Sequence, residues 1–211
     1  MRLTVENAAL RYGDRQVFSE FSAVFEPGKV TALVGPSGSG KSSILAALAG
    51  HQKLSAGKII LTDPTGQQHG TDPSSVAWVP QGFNALRARS TLDNVCVAPL
   101  SEGKSLDQAQ RLARRALDAV GLGWAAGQRA RTLSGGELQR MSFARALASD
   151  RPLLFADEPS ASLDEDNTVI IAKLLMELNV SATVIVATHD PILIAASDAV
   201  VSLRHGSDYA A

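Results

Sequence analysis

The sequence predicts an α/β fold in which helices pack on a mostly parallel sheet. Short apolar runs with the length and composition of buried parallel strands recur at Lys29–Val34, Leu153–Ala156, Ala182–Ala187 and Ala199–Leu203. Helical patterns lie between these runs, and the first of them, Ser42–Ala49, is followed by a glycine that can end a helix. Strands that alternate with helices at this spacing indicate a layered α/β domain.

Three further helix starts carry a capping box, in which a serine is followed three residues later by Glu or Gln. They are Ser105 with Gln108, Ser134 with Glu137, and Ser162 with Glu165. From about residue 84 to residue 150, helical patterns replace the alternation of strands and helices. We therefore predict one domain, in which a helical subdomain (about 84–150) is inserted into a core made of 1–83 and 151–211. At the N-terminus, Arg2–Tyr12 alternates only in part and predicts an edge strand.

Composition and charge restrict the possible functions. The chain has 211 residues, 45% hydrophobic and 19% charged, which suits one globular domain. Its net charge of −1 gives no indication of a cationic surface for nucleic acid, so we expect no nucleic-acid partner. The single cysteine, Cys96, cannot form an internal disulfide and fits a reducing compartment.

No segment of the sequence predicts a membrane-spanning helix. The two most apolar segments lie in the C-terminal fifth of the chain, and charged residues or a proline interrupt both. Neither therefore supplies the roughly 18 uninterrupted apolar residues that a spanning helix needs. The first residues do not resemble a signal peptide either. We expect any membrane-spanning part to come from a partner chain.

A glycine-rich segment between a predicted strand and a predicted helix matches the phosphate-loop pattern. In such a loop backbone N–H groups point at phosphate oxygens, the lysine supplies a cation, and the serine hydroxyl after it reaches Mg²⁺. A merely flexible Gly/Ser loop is the alternative, which the strand before it and the helix after it disfavour. The motif indicates a nucleoside triphosphate site. Its candidate ligands are Gly35, Pro36, Ser37, Gly38, Ser39, Gly40, Lys41, Ser42 and Ser43.

Two adjacent carboxylates end the apolar strand before Pro159. Because the carboxyl ends of buried parallel strands meet at the edge where α/β folds bind ligands, Asp157 is a candidate to organise Mg²⁺. Glu158 is a candidate general base that polarises an attacking water. Taken alone, the pair could equally be a solvated turn. The phosphate loop upstream favours a catalytic pair.

The segment Leu133-Ser134-Gly135-Gly136-Glu137 predicts a second helix start that can receive a phosphate. Ser134 caps the helix, and the paired glycines leave backbone N–H groups uncovered. An ordinary capped helix has no use for two exposed glycines. The segment resembles the signature sequence of the ATP-binding cassette (ABC) ATPases. We include Ser134, Gly135, Gly136 and Glu137 among the candidate nucleotide ligands.

Other residues resemble further markers of that family, so that the resemblance spans nearly the whole chain. Gln81 resembles the loop glutamine that reaches Mg²⁺, and His189 resembles the switch histidine that contacts the γ-phosphate. Tyr12 resembles the aromatic residue that stacks on adenine, with Val17 as a second contact. Taken singly, each has a plainer reading: an exposed amide, a structural histidine or a core aromatic.

The resemblance implies a RecA-like P-loop NTPase core with an edge β-subdomain and the inserted helical subdomain. It further implies an ATPase that uses ATP and Mg²⁺ and works as a head-to-tail dimer at the cytoplasmic face of a membrane. Integral permease subunits would carry the substrate. Only a short tail, His205–Ala211, follows the last predicted strand, so no C-terminal regulatory domain is expected.

Two other functions compete with transport. A nucleic-acid or ribosome-associated ABC clamp would have a long coiled coil or a second cassette, whereas Gln81 and Leu133 are separated by a short helical insert. An adenylate-type kinase does not explain the signature or His189. Among transporters, the segments Phe155–Pro159 and Gln81–Val95 are similar to the macrolide-efflux and lipoprotein-release group, which favours export or extraction over uptake.

The loop after Gln81 is the predicted contact with the membrane partner. We expect Phe83 and Leu86 to line a groove for a short cytoplasmic helix of that partner. Val95 and Val97 are expected to pack inside the helical subdomain instead.

Overall fold

A computed structural model describes residues 1–177 and 182–203 of the chain. The tail His205–Ala211 lies outside these residues. Within them, no helix is both long enough and apolar enough to cross a membrane. The described strands are β1 Arg2–Tyr12, β2 Arg15–Phe25, β3 Val30–Val34, β4 Ala56–Thr62, β5 Gln68–His69, β6 Val76–Val79, β7 Leu153–Asp157, β8 Thr183–Ala187 and β9 Ala199–Ser202. The α-helices are α1 Lys41–Leu48, α2 Thr91–Ser101, α3 Leu106–Ala119, α4 Gly135–Leu147, α5 Glu165–Glu177 and α6 Pro191–Ala195.

The central sheet is parallel, with the strand order β6-β7-β8-β3-β9. Every residue of β7 and β8 is buried, as predicted for central strands of a layered fold. The prediction that the run starting at Ala199 forms a central strand is wrong. Among the described strands, β9 lies at the sheet edge and pairs with β3 alone, and its Val200 is half exposed.

A second, antiparallel sheet has the order β2-β1-β4-β5. β1 is therefore an inner strand, and the prediction of an edge strand is wrong. Its partial alternation arises because register shifts interrupt its pairing with both β2 and β4. Leu3 and Phe25 of this sheet share one buried cluster with Leu45 of α1 and Phe155 of β7. This shared core fixes the N-terminal hairpin next to the phosphate loop.

Helix starts follow the predicted caps in two of three cases. Complete capping boxes are present at Ser105 and Ser134, where each serine side chain accepts a hydrogen bond from the backbone three residues on. The box predicted at Ser162 is wrong. Helix α5 begins only at Glu165, because the Asp164 side chain, which accepts from Asn167 N at 2.9 Å, caps it instead of Ser162.

Residues 84–150 form α2, α3 and α4 together with short 3-10 turns. Alanines on the inner side of α3 pack with Leu117 and Met141 into a cluster that continues under the parallel sheet through Val79 and Ala156. The helices are thus joined to the sheet by one core. The division of the chain into a core and an inserted subdomain stays a prediction.

Candidate active site

A cleft of about 570 Å³ opens at the carboxyl edge of the parallel sheet, between that edge and the β1–β2 hairpin. The segments that follow β3, β7 and β8 all contribute to its walls. The predicted site residues that line it are Tyr12, Val17, Gly35, Pro36, Ser37, Gly38, Gly40, Lys41, Ser42, Ser43, Gln81, Glu158 and His189. Arg15 lines it as well. Ser39, Asp157 and signature residues 134–137 are not among the described residues that line the cleft.

The phosphate loop fits tightly against the N-terminal hairpin. Gly40 has a φ of 91°, a left-handed conformation that side chains disfavour, and a Cβ there would lie 2.8 Å from Val17 Cγ1. Ser39 is buried below the loop, and its hydroxyl has no hydrogen-bond partner among the described residues. A close-packed glycine loop at the start of α1, with an unused hydroxyl beneath it, fits a phosphate chain.

Lys41 is held by oxygen atoms of its own loop and by one carboxylate. Its Nζ donates to Gly35 O at 3.0 Å and lies 3.1 Å from Glu158 Oε1. Both charged side chains are largely buried. Because a buried cation needs compensating oxygens, a bound phosphate would substitute for these contacts rather than add to them.

Asp157 is connected to the phosphate loop through Ser42, whose Oγ donates to Asp157 Oδ1 at 3.0 Å. Burial raises the pKa of Asp157 and the nearby Glu158 charge raises it further, while the Ser42 hydrogen bond and the Lys41 charge oppose the rise. Hydroxyl and carboxylate oxygens are the ligands that Mg²⁺ prefers. These two predicted metal ligands therefore fit the ion, and the third, Gln81, lies on the cleft wall.

Glu158 and His189 meet at the end of the sheet. Glu158 has a φ of 44°, and its N–H donates to Ala187 O at 2.8 Å. Its Oε2 lies 2.9 Å from His189 Nδ1, but the two groups are not aligned as a hydrogen bond, and Oε2 has no donor among the described residues. The His189 side chain is 73% exposed in the open cleft. One carboxylate thus contacts a lysine with one oxygen and a histidine with the other.

Three side chains tie the loop after Gln81 to helices α2 and α4. Ser142 Oγ donates to Phe83 O at 3.2 Å, and Arg145 Nη1 donates to Asn84 O at 3.1 Å. Asn94 is fully buried, and its side chain binds the backbone of Leu86. It accepts from Leu86 N at 2.7 Å and donates to Leu86 O at 3.1 Å. The loop is therefore hydrogen-bonded to α4, the helix that the signature begins. We refer to Asn94, Ser142 and Arg145 as the polar anchor.

The signature forms a capped helix start outside the cleft. Ser134 N donates to Glu137 Oε2 at 2.7 Å, and Ser134 Oγ accepts from Glu137 N at 3.3 Å. A Cβ on Gly136 would lie 2.2 Å from Asn167 Oδ1, so α5 packs closely here. In the described part of the chain, a Cβ on Gly135 would meet only Phe83, at 3.5 Å. Gly136 is therefore needed for packing, whereas Gly135 leaves the helix start open.

Sequence reasoning missed Arg15 and the polar anchor. Gly13-Asp14 is a short hairpin signal between two strand patterns, and it could have paired Arg15 with Tyr12. The anchor residues are up to 61 positions distant from the loop they bind, and no local pattern marks them.

The family model for "ABC transporter" matches residues 18–161, which include the phosphate loop, Asp157, Glu158 and the signature. The chain belongs to the ABC transporter family. As a member of this ABC ATPase family, it binds ATP with Mg²⁺ and hydrolyses it.

Related ABC proteins act in both transport directions. A phosphonates import ATP-binding protein from Frankia casuarinae is 36% identical over 217 residues, which cover 95% of this chain and 86% of that protein. A macrolide export ATP-binding/permease protein from Campylobacter jejuni is 28% identical over 209 residues, which cover 96% of this chain but 33% of that protein.

Solved ABC structures share the whole fold. CbiO1 from Clostridium perfringens, part of the transporter complex CbiONQ, has a TM-score of 0.84 and 27% identity, covering 96% of this chain and 84% of that one. The dimeric cassette MJ0796, solved with ADP and Pi, has a TM-score of 0.80 and 26% identity, covering 96% and 94%.

Asp157→Asn should stabilise the protein measured without nucleotide or metal. Because burial raises the pKa of this carboxyl, the ionised form costs stability at pH values above the folded pKa, and the cost is absent below the usual value of 3.8. Asparagine keeps an oxygen for Ser42 and removes the charge. We expect the melting temperature to rise by roughly 2–4 °C at neutral pH, equivalent to about 1 kcal/mol in a protein of this size.

This gain should shrink as the pH falls towards 4, and thermal denaturation across pH 4 to 8 measures it. The exposed turn variant Asp14→Asn is the control and should change stability by less than about 0.5 kcal/mol at each pH. A gain for Asp157→Asn that does not depend on pH would contradict the burial argument.

Proposed function

We propose that this chain hydrolyses ATP at composite sites shared with a second ABC ATPase subunit, and that hydrolysis drives transport through separate membrane subunits. The observation that carries the proposal is the placement of the two anion-binding helix starts. The phosphate loop lines the cleft with Lys41, whereas the capped signature helix stands outside it. A site that uses both needs a second protomer.

Within the cleft, the phosphate loop and Lys41 bind the β- and γ-phosphates. Ser42, Asp157 and Gln81 hold Mg²⁺, which neutralises part of the phosphate charge when it is bound. Tyr12 stacks on adenine from the hairpin, and Val17 closes the space beside Gly40.

Glu158 acts as general base and His189 contacts the γ-phosphate. The carboxylate is one residue beyond a buried strand, so its position is fixed, and its Oε2 is free of hydrogen-bond donors in the described part of the chain. An oxygen in that condition can accept a proton from an attacking water. A phosphate that binds Lys41 displaces Glu158 Oε1, which lies 3.1 Å from Lys41 Nζ. This second carboxylate oxygen is then released as well.

The signature supplies the second half of the partner's site. Its start is exposed at Ser134, and Gly135 has no side chain of its own to cover its backbone N–H. A helix start with this arrangement favours an approaching phosphate. The dimeric MJ0796 cassettes support a paired arrangement for this chain.

The membrane partner docks beside the anchored loop, on the cytoplasmic face of the membrane. Leu86 is 50% exposed, whereas Phe83 is partly buried against the core. Val95 is fully buried, as expected, but the expectation that Val97 is interior is wrong, because its side chain is 41% exposed on α2. An apolar surface attached to the signature helix is suited to pass its movement to a partner.

For direction we propose export or extraction, on the likeness of the Gln81–Val95 and Phe155–Pro159 segments to that group. The macrolide-export relative from Campylobacter jejuni supports this choice. The phosphonate-import relative supports the opposite direction, uptake. The substrate is determined by the membrane subunits.

Glu158→Gln should keep ATP binding and lower the hydrolysis rate by about two orders of magnitude or more, the range of general-base catalysis. The amide keeps the shape of the side chain but cannot accept the proton. Steady-state phosphate release and nucleotide titration measure the two effects, and size-exclusion chromatography with ATP should reveal an accumulated dimer. Turnover close to that of the unaltered protein would remove Glu158 from this role.

Mixing two inactive variants tests the composite site. Lys41→Ala damages the phosphate loop, and Gly135→Asp places a side chain and a negative charge where the partner's γ-phosphate approaches. In the mixed dimer one site combines the two intact halves, so ATPase activity should return on mixing, up to about a quarter of the unaltered rate if subunits pair at random and one site suffices.

The Gly135→Asp protein alone should still bind ATP in titrations of the monomer, because its phosphate loop is intact. Loss of that binding would place the signature in the same site as Lys41 and contradict the head-to-tail arrangement.

Leu86→Glu should leave the ATPase rate of the isolated subunit unchanged and abolish transport in vesicles that hold the membrane partner. A carboxylate in an apolar docking surface is costly. Leu106→Glu is the matched control, because Leu106 is 58% exposed at the start of α3 and should tolerate the charge. Normal transport and copurification by the Leu86 variant would place docking elsewhere.

A further inference from the structure

Arg15 lines the nucleotide cleft from a side that no predicted ligand for the phosphates occupies. It is the first residue of β2 and pairs directly with Tyr12, the last residue of β1, across the Gly13-Asp14 turn. Paired residues of an antiparallel hairpin lie about 4.5–5.5 Å apart. Arg15 is therefore fixed next to the residue proposed to stack on adenine.

The hairpin also directs Arg15 towards the phosphate loop. Arg15 and Val17 both line the cleft from β2, near the register shift in the pairing of this strand with β1. Val17 reaches Gly40, since its Cγ1 lies 2.8 Å from the position of a Cβ there. Arg15 is two residues before Val17 on this strand, at the Tyr12 end of the cleft.

Arg15 is a positively charged residue of the cleft that is available to bind an anionic ligand. Lys41 and Arg15 are the two basic side chains in the described cleft wall besides His189. Lys41 faces Glu158 at 3.1 Å. Within the part of the chain that the structure describes, Arg15 has no carboxylate within ion-pair distance and no side-chain hydrogen bond. Its exposed guanidinium is free to take an anion.

We propose that Arg15 binds the α-phosphate of the nucleotide, and this inference rests on the nucleotide site proposed above. Lys41 and Ser42 occupy the end of the cleft assigned to the β- and γ-phosphates, and Tyr12 occupies the base end. The phosphate nearest the base is the α-phosphate, and it falls opposite Arg15. A guanidinium presents a fork of N–H donors that matches two phosphate oxygens.

The α-phosphate is present in both the substrate ATP and the product ADP. Arg15 strengthens ATP and ADP binding by the same factor and does not contact adenosine. It therefore retains the product as firmly as it helps to capture the substrate, and it does not discriminate between the two.

Nucleotide titration of Arg15→Ala tests the assignment. We expect the dissociation constants of ATP and ADP to rise together by about tenfold, the lower range for a charge-assisted hydrogen bond at an exposed site. Adenosine binding should not change. Arg15→Lys should recover part of the affinity, and Arg11→Ala is the matched control, because Arg11 is an exposed arginine of the same hairpin outside the described cleft wall.

Unchanged affinity for both nucleotides in Arg15→Ala, or a loss for ATP alone, would overturn the assignment. Failure of the underlying site gives a different result, since Lys41→Ala would then bind ATP as tightly as the unaltered protein. The affinity of the unaltered protein should also fall more steeply with salt concentration than that of Arg15→Ala, and equal slopes would count against a phosphate contact.

Discussion

Backbone hydrogen bonds that continue past the ends of β7 and β8 determine where the charged groups of the cleft lie. Glu158 N donates to Ala187 O at 2.8 Å, and Thr188 N donates to Leu33 O at 3.1 Å. Each bond extends the parallel ladder by one residue beyond a buried strand. Because these strands are neighbours, Glu158, His189 and the phosphate loop must share one edge of the sheet. Main-chain pairing therefore positions the side chains of Glu158 and His189 independently of any contact between them.

The site concentrates features that a purely structural protein would avoid. Glu158 adopts a left-handed backbone conformation that residues other than glycine rarely occupy, and such conformations cost of order 1–3 kcal/mol. Asp157 is a buried carboxyl with a raised pKa, close to a second acid. Lys41 compensates part of this charge. The stability for this arrangement comes from the fully buried strands beneath it, which hold the acids in place without ligand.

Features encoded by neighbouring residues were predictable, and those that depend on which elements lie side by side were not. The capping box at Ser134 needs only a serine and a glutamate three residues apart. The one at Ser162 failed because Asp164 competes for the same helix start. Val97 is apolar but faces outward on α2. A pattern of apolar residues does not indicate which side of a helix other elements pack against. Arg15 lines the cleft because the β1–β2 hairpin packs beside the phosphate loop, an arrangement that no local pattern encodes.

The polar anchor holds its loop by backbone atoms. Ser142 and Arg145 bind the carbonyl oxygens of 83 and 84, and Asn94 binds both backbone groups of Leu86. The exposed side chain of Leu86 is therefore not needed for this attachment, whereas Phe83 also packs against the core. Over evolution the exposed side chains of the loop can diverge while the loop keeps its path, so one ATPase scaffold can be fitted to many membrane partners by replacing surface side chains.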